Sequence, residues 1–120
     1  MNVDPAHLVG TGGALGALCR TLVGEFVDVE EVPASTFTVN VLGTFLLATV
    51  TFAGLGGDAL FFVGTGFCGA FTTFSSFSVE TVRLWETGER ALAVVNAGGN
   101  LAGAGVAIAL AWALVTGLGL

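Results

Sequence analysis

Gly64-Thr65-Gly66-Phe67-Cys68-Gly69-Ala70-Phe71-Thr72-Thr73-Phe74-Ser75-Ser76-Phe77-Ser78 lies inside an apolar segment running from about Leu60 to Leu84, and its reading decides the fold. The segment is long enough to cross a bilayer as a helix, yet its portion from Thr72 to Ser78 is crowded with hydroxyls. Hydroxyl side chains bond nearby carbonyls and bend or open a helix. Irregular backbone at membrane depth is tolerated only where protein or a water-filled cavity covers it. The stretch therefore predicts a third helix broken near the membrane middle, lining an ion or substrate path. Phe74 and Phe77, three residues apart, share a helix face, with Thr73 and Ser76 as a neighbouring polar stripe. An aromatic ring has a positive edge, so rings presented edge-on to a narrow pore can contact a small anion. Ordinary packing of two phenylalanines against another helix is the competing reading.

Outward from this stretch the chain stays apolar. Of 120 residues, 54% are hydrophobic and 10% charged, whereas a soluble domain carries about 25% charged residues. The composition predicts an all-α membrane protein whose partner is the lipid bilayer. Four windows reach spanning length, at 8–27, 36–55, 60–84 and 91–118, as one four-helix transmembrane domain over 1–120 with short turns between spans. The amino terminus, with Asp4 and Pro5, lacks the basic start of a signal peptide, so the first helix is kept as a span. An even number of spans puts both termini on one side.

Nine acidic residues against three arginines and no lysine give a formal charge of −6, and all the acids except Glu80 fall at span ends or in turns. That acidic coat predicts a high-salt source, an archaeal halophile, and argues against a nucleic-acid partner. Arg20, Arg83 and Arg90 lie toward the side of the first and third turns, which by the positive-inside tendency places the termini outside. Three charges make a weak bias, compatible with insertion in either direction.

Single residues carry two readings each. In the first helix, Gly10, Gly13, Gly16 and Ala17 form a small-residue surface for close helix contact. Arg20, about two-thirds along that span, either draws anions into an aqueous vestibule or snorkels to the interface. Asn40 offers two N–H donors, of the kind needed to replace the water of a small anion, or it glues two helices together. Asn96 and Asn100, one turn apart, share a face and lean to a packing or support role. Glu80 reads as a solvated or paired helix-end carboxylate. Cys19 and Cys68, in separate spans, read as small buried residues. No nucleophile, base and orienting acid are gathered, so the sequence predicts no enzyme.

The run from Gly66 to Ser78 resembles the signature of the CrcB/Fluc family of fluoride channels, G-x-C-G-G-[FL]-T-T-F-S-T-F, with Ala70 for Gly and Ser76 for Thr as departures. Gly12-Gly13-Ala14-Leu15-Gly16-Ala17 followed by Arg20 resembles the family's first-helix motif, and Thr38 to Phe45 its second. The resemblance implies passive export of fluoride through an antiparallel, dual-topology dimer, either a homodimer or a heterodimer with a paralogous chain of opposite orientation. It implies an anion pathway at Asn40, Phe74, Phe77, Thr73 and Ser76, with Arg20 near a vestibule. It also implies a structural Na+ at the dimer centre, held by the backbone carbonyls of Gly69 and Thr72. The fourth helix departs from the family in having no Tyr, and no Ser after Asn100. The alternatives are a small multidrug-resistance-type four-helix transporter, which needs a titrating carboxylate deep in a helix, and a non-conducting partner subunit of a heterodimeric channel.

Overall fold

The computed structural model describes residues 3–27, 29–30 and 32–120. Its regular structure is helical, with no strand among the described residues. α1 spans Pro5–Phe26, α2 spans Ala34–Phe52, α4 spans Phe74–Glu86 and α5 spans Arg90–Leu118. Between α2 and α4 runs α3, a wide helix with i→i+5 bonding over Leu60–Cys68 that tightens into one α turn, Gly69–Phe71. α3 and α4 together make up the third of four long helical rods.

Local chemistry explains most of the boundaries. Asp4 accepts the Ala6 N–H at 2.9 Å and Pro5 occupies the first turn of α1, where its missing N–H costs nothing. The second apolar window was expected to continue to residue 55, but α2 stops at Phe52 because Gly54 takes a left-handed φ of 64°. Such a conformation is cheap for glycine and ends helices. Gly88, with φ 90°, turns the chain between α4 and α5. In the first turn Val29 and Val32 form an isolated backbone bridge; Asp28 and Glu31 of that turn lie outside the described residues.

Among the described residues three segments are long and apolar enough to cross a membrane: Ala34–Phe52, Leu60–Glu86 and Arg90–Leu118. The chain is thus a multi-pass membrane protein. α1 has the length, at 22 residues, but glycines, His7, Arg20 and Glu25 dilute its apolarity.

The helices form a slab of 55 × 32 × 21 Å, about two helix diameters thick. α1 packs on α3, while α2 and α4 pack on α5. In lipid this packing depends on close approach rather than on water exclusion, and the small residues show where it is closest. A Cβ on Gly12 or Gly16 would overlap the carbonyl oxygen of Phe62 or Phe67 respectively. One α turn of α1 therefore meets one wide turn of α3, which accounts for carbonyls five residues apart facing glycines four apart. Of the expected contact surface, Gly16 and, less closely, Gly13 hold and Gly12 joins them; Gly10 points into open space. On the other side, Gly103 of α5 lets Phe37 and Val41 of α2 approach, at 2.9 and 2.8 Å from where its Cβ would stand. Ala107, Ala111 and Val115 continue that buried seam.

Candidate functional site

α3 and α4 are separated by two extended residues, Thr72 (φ −85°, ψ 163°) and Thr73 (φ −152°, ψ 115°). Phe74 to Ser78 are helical, so Phe74 and Phe77 do share a helix face as their spacing predicts, and the irregular part is confined to these two threonines. The hydroxyls explain both. Thr73 caps α4, its Oγ1 accepting the Ser76 N–H at 3.2 Å, the usual stabilising geometry for a helix start. Thr72 donates its hydroxyl back to the Cys68 carbonyl at 2.9 Å, finishing α3.

Asn40 holds the break open. Its Oδ1 accepts the Thr73 N–H at 2.8 Å and its Nδ2 donates to the Thr73 carbonyl at 3.1 Å. A side-chain amide thus substitutes for the helical partners that Thr73 has given up. One of the two donors anticipated for Asn40 is therefore committed to the backbone. The second N–H faces Asn100 Oδ1 at 3.4 Å, longer than a well-formed N–H···O bond.

With Thr73 bonded to Asn40, the Gly69 carbonyl has no i+4 amide, and no backbone N–H among the described residues reaches the Thr72 carbonyl either. Gly69 is exposed, with nothing within 4 Å of where a Cβ would stand. Both residues line a groove of about 350 Å³, together with Asn40, Thr73 and Phe74. Among the described residues no three His, Cys, Asp or Glu side chains gather. Carbonyl oxygens left without donors are hard ligands suited to a cation such as Na+ or Ca2+, and these two have the right chemistry.

The rings of Phe74 and Phe77 lie 5.7 Å apart at 46°, and Phe74 is 79% exposed. A second groove, of about 280 Å³, is lined by Arg20, Thr73, Ser76 and Glu80 among others. Arg20, on α1, thus shares one polar groove with Ser76 and Thr73, and Thr73 borders both grooves. All six expected pathway residues surround the break, with Asn40, Thr73 and Phe74 on one groove and Arg20 and Ser76 on the other; Phe77 joins them through its contact with Phe74.

The family described as CrcB-like protein, Camphor Resistance (CrcB), matches residues 7–113. The chain belongs to the CrcB family. Relatives of this CrcB chain include the protein named fluoride-specific ion channel FluC 2 of Haloarcula marismortui, 60% identical over 94% of this chain and 95% of that protein. FluC 1 of Halobacterium salinarum is 52% identical over 92% and 93%, and FluC 2 of Natronomonas pharaonis is 50% identical over 91% and 92%. These three relatives come from haloarchaea, and all are named as channels rather than enzymes.

One feature of the CrcB chain, the place of Glu80, was only half visible in the sequence. Of the two readings, solvated or paired, the paired one holds, inside α4 rather than at its end: its Oε1 accepts the hydroxyl of buried Thr36 at 2.7 Å, and its Oε2 is buried with no partner among the described residues. Its place six residues into α4 was a signal, because every other acid sits at a span end or in a turn. Thr36→Val keeps the volume and leaves both carboxylate oxygens unpaired. It is expected to destabilise the folded chain by about 1–3 kcal/mol, read as a lower thermal midpoint in detergent. Asn96 donates to the Thr81 hydroxyl at 2.8 Å and so ties α5 to α4, in line with the packing or support role its place on the helix suggested.

Proposed function

We propose that this chain is a fluoride channel, passing the anion down its gradient across the cell membrane and so protecting the cell from fluoride toxicity. The observation that carries the reading is the opened helix at Thr72–Thr73, clamped by Asn40 and flanked by the Phe74–Phe77 pair inside an apolar span. The names of the relatives, fluoride-specific ion channels, support the choice of anion. Fluoride enters cells as neutral HF from acid surroundings and ionises at the internal pH, so a passive pore is enough to release it.

In this reading α1 is the fourth span, residues 1–120 form one transmembrane domain, and two chains assemble antiparallel. Support for a partner comes from what one chain leaves uncovered: Phe74, Gly69 and the groove they border. The partner is a second copy or a paralogous chain inserted the other way. Arg20 draws anions toward the break, Thr73 and Ser76 offer hydroxyls, Asn40 gives its second N–H, and the ring edges of Phe74 and Phe77 line the way. The carbonyls of Gly69 and Thr72, two from each chain, would hold Na+ at the dimer centre, which supplies a fixed positive charge near the path.

Fluoride efflux from liposomes containing only the purified chain, with chloride as the control, tests this. Fluoride release without chloride release is expected. If the chain is silent alone but active with a co-expressed paralogue, the dimer is a heterodimer; if it is silent in both, the proposal fails.

A further inference from the structure

The polar side chains of α5 form a hydrogen-bond chain with the break, in which the Asn40–Asn100 link is the long one. Thr73 N–H donates to Asn40 Oδ1 at 2.8 Å, Asn40 Nδ2 to Asn100 Oδ1 at 3.4 Å, and Asn100 Nδ2 to Asn96 Oδ1 at 3.2 Å. Asn96 Nδ2 then donates to Thr81 Oγ1 at 2.8 Å, and Thr81 Oγ1 to the Phe77 carbonyl at 2.7 Å. The two ends admit one direction only. A backbone N–H can only donate, so Thr73 turns Asn40 Oδ1 toward itself and sends Nδ2 to Asn100. A carbonyl can only accept, so Phe77 takes the single Thr81 proton and obliges Asn96 to face Thr81 with its N–H. Followed from either end, the amides of Asn96 and Asn100 take the same orientation, and every link runs donor to acceptor.

The chain acts on the Asn40 donor. The two contacts with Thr73 fix one edge of the Asn40 amide, but two points define an axis and leave the plane free to tilt about it. Asn100 supplies the third point. It is itself held by a second bond, Nδ2 to the Asn96 carbonyl at 2.9 Å, and Asn96 is buried at 8% exposure. Linked hydrogen bonds polarise one another, so the state of the relay is felt at Asn40.

We infer that Asn100, backed by Asn96 and Thr81, is a positioning residue that fixes the tilt of the Asn40 amide, its long 3.4 Å contact parking the second N–H of Asn40 where an anion entering the path takes it over. The inference rests on the reading of Asn40 as an anion donor. Asn100 does not touch the anion; it sets the tilt of the group that does, and it couples that group to the backbone under Phe77.

Asn100→Leu removes the acceptor at nearly constant volume. The fluoride concentration giving half-maximal efflux is expected to rise roughly three- to tenfold, the range set by one neutral hydrogen bond, with maximal flux within about twofold and the dimer intact by size exclusion. An unchanged or lowered half-saturating concentration overturns the inference, because a residue that merely packs α5 would alter yield or maximal flux alone. Thr81→Val breaks the relay at its far end without touching Asn40, and serves if Asn100→Leu does not fold; a shift of about twofold in the same direction is expected. A second readout does not depend on the anion. The chain has four asparagines, so [15N]asparagine labelling in detergent gives a side-chain spectrum simple enough to assign. Displacement of the Asn40 amide resonances in Thr81→Val supports the relay, and coincidence with the parent spectrum overturns it. If the parent chain releases no fluoride, the proposed function fails while this second readout still decides the relay.

Discussion

Gly12→Ala combined with Gly16→Ala is expected to leave no folded, monodisperse protein in detergent. At both positions an added methyl meets backbone rather than the far end of a side chain. The Cβ of residue 16 would stand 3.0 Å from the Phe67 carbonyl carbon and overlap its oxygen, and the Cβ of residue 12 would overlap the Phe62 oxygen. A carbonyl inside a helix cannot rotate away, so α1 and α3 must separate along their whole contact. Overpacking of this kind costs about 1–3 kcal/mol per site, occasionally more. Two neighbouring sites on one seam consume a large part of a typical folding free energy of about 5–15 kcal/mol. Each single variant is expected to fold with a lowered thermal midpoint. Gly10→Ala, which meets nothing within 4 Å, is the control and is expected to match the parent. If the double variant elutes and melts like the parent, the close α1–α3 approach is wrong.

This seam shows which part of the architecture is legible in the residues. Small residues at helical spacing announce a close contact, because lipid offers no hydrophobic reward for bringing helices together. They do not say which of them touch. Gly12 and Gly16 were selected by the wide winding of Leu60–Cys68, and i→i+5 winding leaves no periodic mark in a segment that is apolar on nearly all sides. The break was legible for a different reason. Thr72 and Thr73 each have a hydroxyl that can replace a helical partner, one closing α3 and the other opening α4. Which hydroxyls open the helix was not legible, because Ser78 looks the same in sequence although its hydroxyl bonds back to the Phe74 carbonyl at 2.9 Å and leaves the helix intact.

Partners across helices were the least legible. Asn40 stood out as an amide in an apolar span, but that Thr73 takes one of its donors depends on how α2 lies beside the break. The same is true of Glu80. Its place inside the third apolar window was visible, whereas its Thr36 partner, 44 residues away in sequence, exists only once α2 and α4 are brought together. Transfer energies summed over a window locate spans. They carry no information on which polar group faces which.

Phe77→Ile is expected to lower fluoride flux roughly tenfold or more while the size-exclusion profile stays that of the parent. The argument starts from what isoleucine retains. It remains apolar and costs a helix only a few tenths of a kcal/mol in propensity, so α4 and its cap at Thr73 survive. What disappears is the ring edge, the preorganised positive rim of the same quadrupole whose negative face attracts cations by about 0.5–2 kcal/mol or more where water is excluded. At about 1.4 kcal/mol per factor of ten in rate, that loss on a barrier approaches or exceeds tenfold. The neighbouring ring separates electrostatics from packing. Phe74 is 79% exposed within the chain whereas Phe77 is half-buried, so Phe74→Ile removes an equivalent edge with little loss of contact inside the chain. Parallel falls in flux for the two variants, with assembly unchanged by size exclusion, fit rings that act on the anion. Normal flux in Phe77→Ile removes the aromatic edge from the pathway, and loss of the dimer in Phe74→Ile alone makes that ring an interface contact, leaving conduction to the Asn40 amide and the hydroxyls of Thr73 and Ser76.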